Sequence, residues 1–265
     1  MSALENYESS TFVFNVRVDN YNLQTAIDRV VRFITGRPGG VSHQVLFTNV
    51  HSIQLARHDP ELLNCINHAD LVLADGSGLK IAGRLFGHPI EENLNGTDFT
   101  PRVLALADRN NWSVYLLGAR EEVVSTCCQK LDKHYPNLRI AGYRNGYFTH
   151  DEEKEIIEDI NNKKPDILLV ALGSPRQEEW IAHHRRLLNA HVCFGVGGLF
   201  DFIAGMRKRA PLWMRKTGIE WVYRFLQSPS EKWERIFVEI PAFLLRIIWN
   251  KLLESTMLVE HRGKK

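Results

Sequence analysis

Residues Ile167-Leu168-Leu169-Val170-Ala171-Leu172 are followed by Gly173-Ser174-Pro175-Arg176-Gln177-Glu178-Glu179-Trp180. Six apolar residues in a row, with no polar alternation, read as a strand buried on both faces. Gly173 and Pro175 break the extended chain, and Pro175 suits the first turn of a helix. Helical spacing continues to Leu188, and a second apolar run, Val192–Val196, follows. Strand, helix and strand in this order make a right-handed crossover unit, which places the two strands parallel.

The same alternation extends outward. Val45–Phe47, Leu71–Ala74 and Val114–Leu117 are further short apolar runs. Amphipathic stretches separate them at Leu23–Ile34, Pro60–His68, Gly78–Leu85, Phe99–Asp108, Glu121–His134 and Asp151–Asn161. Thr11–Val18 alternates apolar and polar residues, as a half-buried strand does. Gly36, Pro38, Gly39 and Gly40 mark a loop. The expected fold is α/β, a mainly parallel sheet with helices on both faces. Ligands of such sheets bind beyond the carboxyl ends of the strands, so the residues just after each strand are the candidates for function.

Composition narrows the class. With 265 residues, 44% hydrophobic and 24% charged, the chain forms one large domain, or one with an appendage, and is neither disordered nor a disulfide-stapled miniature. Cys65, Cys127, Cys128 and Cys193 form no Cys-x-x-Cys pair, and Cys65-x-x-His68 has no companion ligand pair, so a reducing compartment is expected and a structural zinc site is not. The first ten residues lack the basic and apolar character of a signal peptide. No run reaches the ~18 uncharged apolar residues of a membrane span.

Charge is unevenly placed. Residues 205–265 carry 13 Lys and Arg against 6 Asp and Glu, while residues 1–204 carry 20 against 25. We therefore divide the chain into a core, 1–204, and a basic appendage, 205–265. In the appendage Trp213, Trp221, Tyr223, Trp233 and Trp249 are interleaved with Arg207, Arg209, Arg215, Arg224, Lys232, Arg235 and Arg246. Ile236–Leu253 is apolar but interrupted by Glu239, Pro241 and Arg246. Such a pattern fits helices lying on a lipid surface. It also fits a stripe packed on the core or on a second subunit.

Four strand ends carry candidate chemistry. Asp75, in Ala74-Asp75-Gly76-Ser77-Gly78, is placed to take a proton from a hydroxyl nucleophile, or else to cap the next helix. Thr48 and Asn49 could orient a sugar or phosphate, or cap. At Gly173–Trp180 a helix N-terminus could face an anion, with Gln177 bonding a base or ribose, or the segment could be an ordinary helix start. Gly195-Val196-Gly197-Gly198-Leu199-Phe200-Asp201 repeats this logic, but Phe200 stands where a dinucleotide fingerprint needs its third glycine. The phosphate-binding GxxxxGK[ST] loop, a His-x-x-x-His pair and Asp-x-Asp are absent, so no metal and no cofactor are expected. Arginines would then neutralise a leaving diphosphate.

The ordered set resembles a known family. Asp75-Gly76, Gly173-x-Pro175-x-Gln177-Glu178-x-Trp180-Ile181, Gly195-Val196-Gly197-Gly198 with Asp201 and Gly205, Arg209-Ala210-Pro211 and Glu220-Trp221-x-Tyr223-Arg224 are similar to motifs of the WecG/TagA/CpsF glycosyltransferases over roughly residues 11–235. The resemblance implies a Rossmann-like core with a helical, membrane-associating appendage. It implies inverting, metal-independent transfer of a sugar (an N-acetylmannosamine type, glucose or a uronic acid) from a UDP-sugar to a polyprenyl-diphosphate-linked saccharide. This would happen on the cytoplasmic face of the cell membrane, in surface polysaccharide or teichoic acid synthesis, and in a homo-oligomer. Carried over, Asp75 is the general base with Thr48 beside it. Asn49, Gly76, Asn95, Asp98, Gly173, Pro175, Gln177, Gly197 and Asp201 bind substrate. Arg207, Arg209, Arg215, Arg224, Lys232 and Arg235 meet the lipid diphosphate or the membrane. The sequence departs from the family pattern at three places: Phe47 stands for a threonine, which shifts to Thr48; Asn93 stands for an arginine; Ser230 and Glu231 stand for arginines. These departures keep a non-catalytic sugar-nucleotide binder or regulator in view. The basic tail alone also fits a nucleic-acid module, but the ordered motifs do not, and no nucleic acid partner is expected.

Overall fold

The computed structural model describes residues 10–36, 40–85, 87–217 and 219–227, and positions 233, 237, 238, 241–243, 245, 246 and 249. The expected site residues Lys232 and Arg235, and the side chain of Arg224, lie outside the described residues, as do Ser230 and Glu231.

Eight strands form one sheet. They are β1 (Ser10–Val13), β2 (Val16–Asp19), β3 (His43–Thr48), β4 (Leu71–Ala74), β5 (Ser113–Gly118), β6 (Arg139–Arg144), β7 (Ile167–Ala171) and β8 (Val192–Gly195), in the spatial order β1-β2-β4-β3-β8-β7-β5-β6. Every neighbouring pair is parallel except β1 and β2. The fold is Rossmann-like α/β, as expected. The central strands are apolar throughout because both faces are covered: all four residues of β4 and of β8, and all five of β7, are buried.

Two strand expectations change. Thr11–Val18 is a hairpin, not a single strand. Phe14 and Asn15 both take positive φ (50° and 66°), the backbone of a two-residue turn whose twist suits a hairpin. Alternation continues through such a tight turn, so the pattern alone did not show it. The edge strand β6 went unseen because half-exposure and its terminal arginines leave no apolar run.

Three clusters of buried side chains fill the space between sheet and helices. On one face α1 (Leu23–Thr35), α5 (Gly96–Asn110), α6 (Glu121–His134) and α9 (Leu199–Ala204) pack with Val45, Phe47, Leu71, Leu169 and Phe194 of the sheet. On the other, α2 (Val50–Ala56), α3 (Pro60–Asn67) and α4 (Ser77–Leu85) pack with Leu46 and Val72, and α7 (Glu153–Lys163) and α8 (Arg176–His184) pack with Leu168, Val170 and Cys193. Phe243 is 1% exposed within the second cluster and meets the Phe14 ring edge-on at 5.5 Å. Part of the apolar tail therefore packs on the core. By contrast, Trp213, Trp221, Trp233 and Trp249 are exposed. Among the described residues no helix is long and apolar enough to cross a membrane.

One arrangement fixes the site. Strands β3 and β8 are direct neighbours, with Leu46 opposite Gly195. Beyond them the chain turns to opposite faces, into α2 from β3 and into α9 from β8. The two loops diverge and leave a crevice.

At the other end of the sheet Asp70 holds the layers together. It accepts from the Gln44 N–H at 2.8 Å, meets His43 Nδ1 at 3.1 Å, and pairs with the Arg185 guanidinium. Burial alone would raise its carboxyl, but the His43 hydrogen bond and Arg185 outweigh it and hold the group below its ordinary value. Asp70→Asn should lower unfolding stability by about 1–3 kcal/mol at pH 7. Because the folded value is depressed, this contribution is present above the unfolded-state value near ~3.9 and is lost as pH falls through the folded value. Urea unfolding from pH 7 to pH 3 checks this: the gap between wild type and variant should hold at neutral pH and narrow progressively in acid. No gap at pH 7, or a gap that does not narrow at all as pH falls below the unfolded-state value, would contradict the assignment.

Candidate active site

The crevice between β3 and β8 opens into a cavity of about 260 Å³, walled by the loops after β3, β4, β7 and β8 and by residues 207 and 227 of the appendage. Of the residues expected at the site, Asn49, Asp75, Gly173, Gln177, Gly197 and Arg207 stand on its wall.

Asp75 follows β4 directly, and its backbone is tightly held. Its N–H donates to the Thr48 carbonyl at 2.8 Å, and the Leu94 N–H donates to the Ala74 carbonyl at 2.8 Å. The next residue, Gly76, has φ +103°, a conformation that side chains disfavour. Its N–H donates to Asn93 Oδ1 at 2.7 Å. Asn93 therefore has a definite task in this chain: it clamps the turn that presents Asp75.

The strand end of β3 supplies three neighbours with different tasks. Phe47 lies on the cavity wall, with its ring against Gly96, where an added Cβ would come within 3.1 Å, and edge-on to Phe99 at 5.8 Å. Thr48 is 1% exposed and sits behind the wall. Asn49 is on the wall and also caps α2, accepting from the Ser52 N–H at 3.2 Å. The capping reading of Asn49 therefore holds, in a residue that also lines the cavity.

In the loop after β7, three N–H groups of the first turn of α8 are taken up by carbonyls of the loop itself. Gln177 donates to the Gly173 carbonyl at 2.9 Å, and Glu178 and Glu179 donate to the Pro175 carbonyl at 3.1 and 3.2 Å. Two carboxylates in that turn would also repel an anion. Pro175 occupies the cap position, after a cis peptide bond. Gln177 is buried and bridges two loops: its Nε2 donates to Glu178 Oε1 at 2.9 Å, and its Oε1 accepts from the Gly197 N–H at 2.9 Å. Gly195 leaves little room for a side chain here: a Cβ would lie 3.0 Å from Leu46 and 3.3 Å from the Gln177 amide, tight enough to push either aside. Asp201 lies in the first turn of α9, behind the wall, and its carbonyl accepts from the Met206 and Arg207 N–H groups.

Asp98, Arg209 and Arg215, three residues expected to meet ligands, join the appendage to the core. Asp98 accepts from Arg209 at 2.6 and 3.0 Å, in the two-pronged geometry a guanidinium favours, and from Arg215 at 3.2 Å. Arg209 also donates to the Thr97 carbonyl at 3.1 Å. Asn95 completes the group: its Oδ1 accepts from the Asp98 N–H and its Nδ2 donates to Asp98 Oδ2 at 2.9 Å. Partial burial pushes the Asp98 carboxyl up, but the Arg209 and Asn95 hydrogen bonds pull harder and hold it below its usual range. Gln227, at the end of α11 (Glu220–Gln227), exchanges hydrogen bonds with the Lys208 backbone at 3.2 and 2.8 Å. Arg207 is thereby delivered to the cavity wall. Sequence reading gave no role to Glu178, Ser174, His51 or Gln227, all on the wall. Only Glu178 carried a signal, its place beside Gln177. Among the described residues no group of three His, Cys, Asp or Glu side chains could hold a metal ion.

The sequence matches the Glycosyl transferase WecG/TagA/CpsF family over residues 11–256. It is 31% identical over 245 residues to an N-acetylglucosaminyldiphosphoundecaprenol N-acetyl-beta-D-mannosaminyltransferase of Bacillus subtilis (strain 168), covering 92% of this chain and 93% of the relative. It is 32% identical over 237 residues to a Staphylococcus aureus (strain MW2) protein of the same name, covering 89% and 91%.

The Asp98 cluster generates a prediction. Asp98→Asn should leave the thermal midpoint of the core nearly unchanged while tryptic cleavage at Arg207 and Lys208 rises several-fold, read by mass spectrometry of timed digests. An unchanged cleavage rate would show that the Asp98 pairs do not hold the appendage.

Proposed function

The chain belongs to the Glycosyl transferase WecG/TagA/CpsF family and is a glycosyltransferase; from that premise we propose that it transfers an N-acetylmannosaminyl group from a UDP-sugar to a polyprenyl-diphosphate-linked N-acetylglucosamine, with inversion and without a metal ion. The observation that carries this reading is that Asp75 and Arg207 both line one cavity, at the point where β3 and β8 diverge. The names of the relatives support the choice of sugar and acceptor.

The mechanism follows from the two charges. Asp75 takes the proton of the acceptor hydroxyl as that oxygen forms its bond to the anomeric carbon. The bond from that carbon to the diphosphate oxygen breaks in the same step, and UDP leaves with the electron pair. Arg207 faces the charge that develops on the departing diphosphate. A single displacement of this kind converts an α-linked nucleotide sugar into a β product, the configuration in the relatives' names. Asn93 holds the Gly76 turn, so the base is positioned before substrate arrives. Phe47 and Asn93 are both built into the site, which favours an active enzyme over a silent homologue.

The acceptor's lipid calls for a surface. Leu212, Trp213, Trp221 and Leu226 are exposed on α10 (Leu212–Lys216) and α11, close in sequence to Arg207. Their apolar and amphipathic side chains suit the boundary between headgroups and acyl chains. We place the enzyme peripherally on the inner face of the cell membrane, in synthesis of teichoic acid or a related surface polymer.

Incubation with UDP-ManNAc, UDP-glucose or UDP-glucuronate and a prenyl-diphosphate N-acetylglucosamine, read by mass spectrometry, should give product with the first donor. Asp75→Asn should cut turnover by about 10²–10⁴-fold, the usual contribution of a positioned base, while UDP binding by calorimetry is retained. Unchanged turnover would remove Asp75 from the role, and transfer from another donor alone would overturn the choice of sugar.

A further inference from the structure

Glu178 is a carboxylic acid in a place where the fold has no need of one. It lies in the first turn of α8, is 3% exposed, and stands on the cavity wall. Its Oε1 accepts from Gln177 Nε2. Its Oε2 is buried and makes no well-aligned hydrogen bond, its interaction with the neighbouring Ser174 hydroxyl falling short of good geometry. A buried polar atom without a partner works against folding, so an apolar side chain of the same length would serve packing better. Buried groups left unsatisfied in this way point to function.

The hydrogen-bond polarity shows what the carboxylate does. The Gly197 N–H can only donate, so the Gln177 atom facing it at 2.9 Å is the carbonyl oxygen. The amide nitrogen must then face Glu178, which accepts. One of its two hydrogens goes to Oε1, and the other remains for a ligand in the cavity. Without an acceptor at position 178, the Gln177 amide loses the partner that fixes its direction. Gly197, at φ +52° in the turn after β8, loses its tie to the β7 loop with it.

We propose that Glu178 is a positioning residue for the donor half of the cavity: it orients the Gln177 amide, which fixes the Gly197 turn and presents one N–H to the sugar nucleotide. Its ligand class is thus a hydrogen-bond acceptor on the nucleotide sugar, a carbonyl, hydroxyl or phosphate oxygen. The identity of that ligand rests on the function proposed above, whereas the orientation of Gln177 does not.

Two variants of the full chain test it. Glu178→Met should raise the KM for the UDP-sugar about tenfold, with the KM for the lipid acceptor unchanged and the thermal midpoint equal to or above that of wild type. Glu178→Gln retains an acceptor for Gln177 and should bring the donor KM back to within about threefold of wild type. A reading that needs no turnover is the Gly197 backbone amide by NMR: its hydrogen exchange should be slow in wild type and in Glu178→Gln, and markedly faster in Glu178→Met. A donor KM unmoved in Glu178→Met, or a Glu178→Gln protein as impaired as Glu178→Met, would overturn the proposal. So would a Gly197 amide indifferent to the substitution. Failure of the wild type to bind UDP, with the Gly197 amide still behaving as stated, would instead overturn the function and leave the positioning role standing.

Discussion

Two parallel strands that sit side by side while their following helices leave on opposite faces create the constraint on which the molecule depends. At β3 and β8 the backbone hydrogen bonds end together, and the chain must then separate. A crevice is unavoidable there, and its walls are strand-end loops held by a rigid sheet. Everything placed at those ends inherits the precision of the sheet. Asp75 is fixed by the Thr48 carbonyl and by Asn93 one residue on, and Gln177 is fixed by Gly197 and Glu178. The site therefore needs few flexible contacts to hold its groups in place before a substrate enters.

The electrostatics of the chain act through the same geometry. The acidic core and the basic appendage meet at Asp98, where Arg209 and Arg215 converge on one carboxylate. That contact brings Arg207 over a cavity whose walls also carry Asp75 and Glu178. A cavity lined by carboxylates alone would repel a diphosphate. One cation delivered by the appendage changes that balance. The appendage thus has two faces. Arg209, Arg215 and Phe243 bind it to the core, and its Trp213, Trp221, Trp233 and Trp249 are exposed.

Much of this was legible in the sequence because burial on both faces writes a continuous apolar run. The runs that became β3, β4, β5, β7 and β8 show it, and topology then marks the residue after each strand as a candidate. Asp75, Asn49 and Gln177 were readable for that reason. Contacts between distant segments were not. Asp98 and Arg209 are 111 residues apart, and nothing local in either segment announces the pair; each looked like a ligand contact. The phase of α8 was hidden as well. A helix start with Gln177 and Glu178 adjacent does not say that both side chains turn inward. The hairpin of β1 and β2 was hidden by its own regularity, and β6 by its exposure at the sheet edge. Asn93 and Phe47 read as departures from a family pattern. Their tasks, a clamp on Gly76 and a wall against Gly96, appear only in three dimensions.

The central claim is that a sugar nucleotide occupies the crevice between β3 and β8, with its diphosphate toward Arg207 and its sugar toward Asp75. A crystal structure with UDP bound measures this most directly. The account predicts the diphosphate within hydrogen-bond reach of the Arg207 guanidinium and the nucleoside against Gln177 and the Gly197 turn. UDP seated away from this cavity, or in it with the diphosphate turned from Arg207, would contradict it.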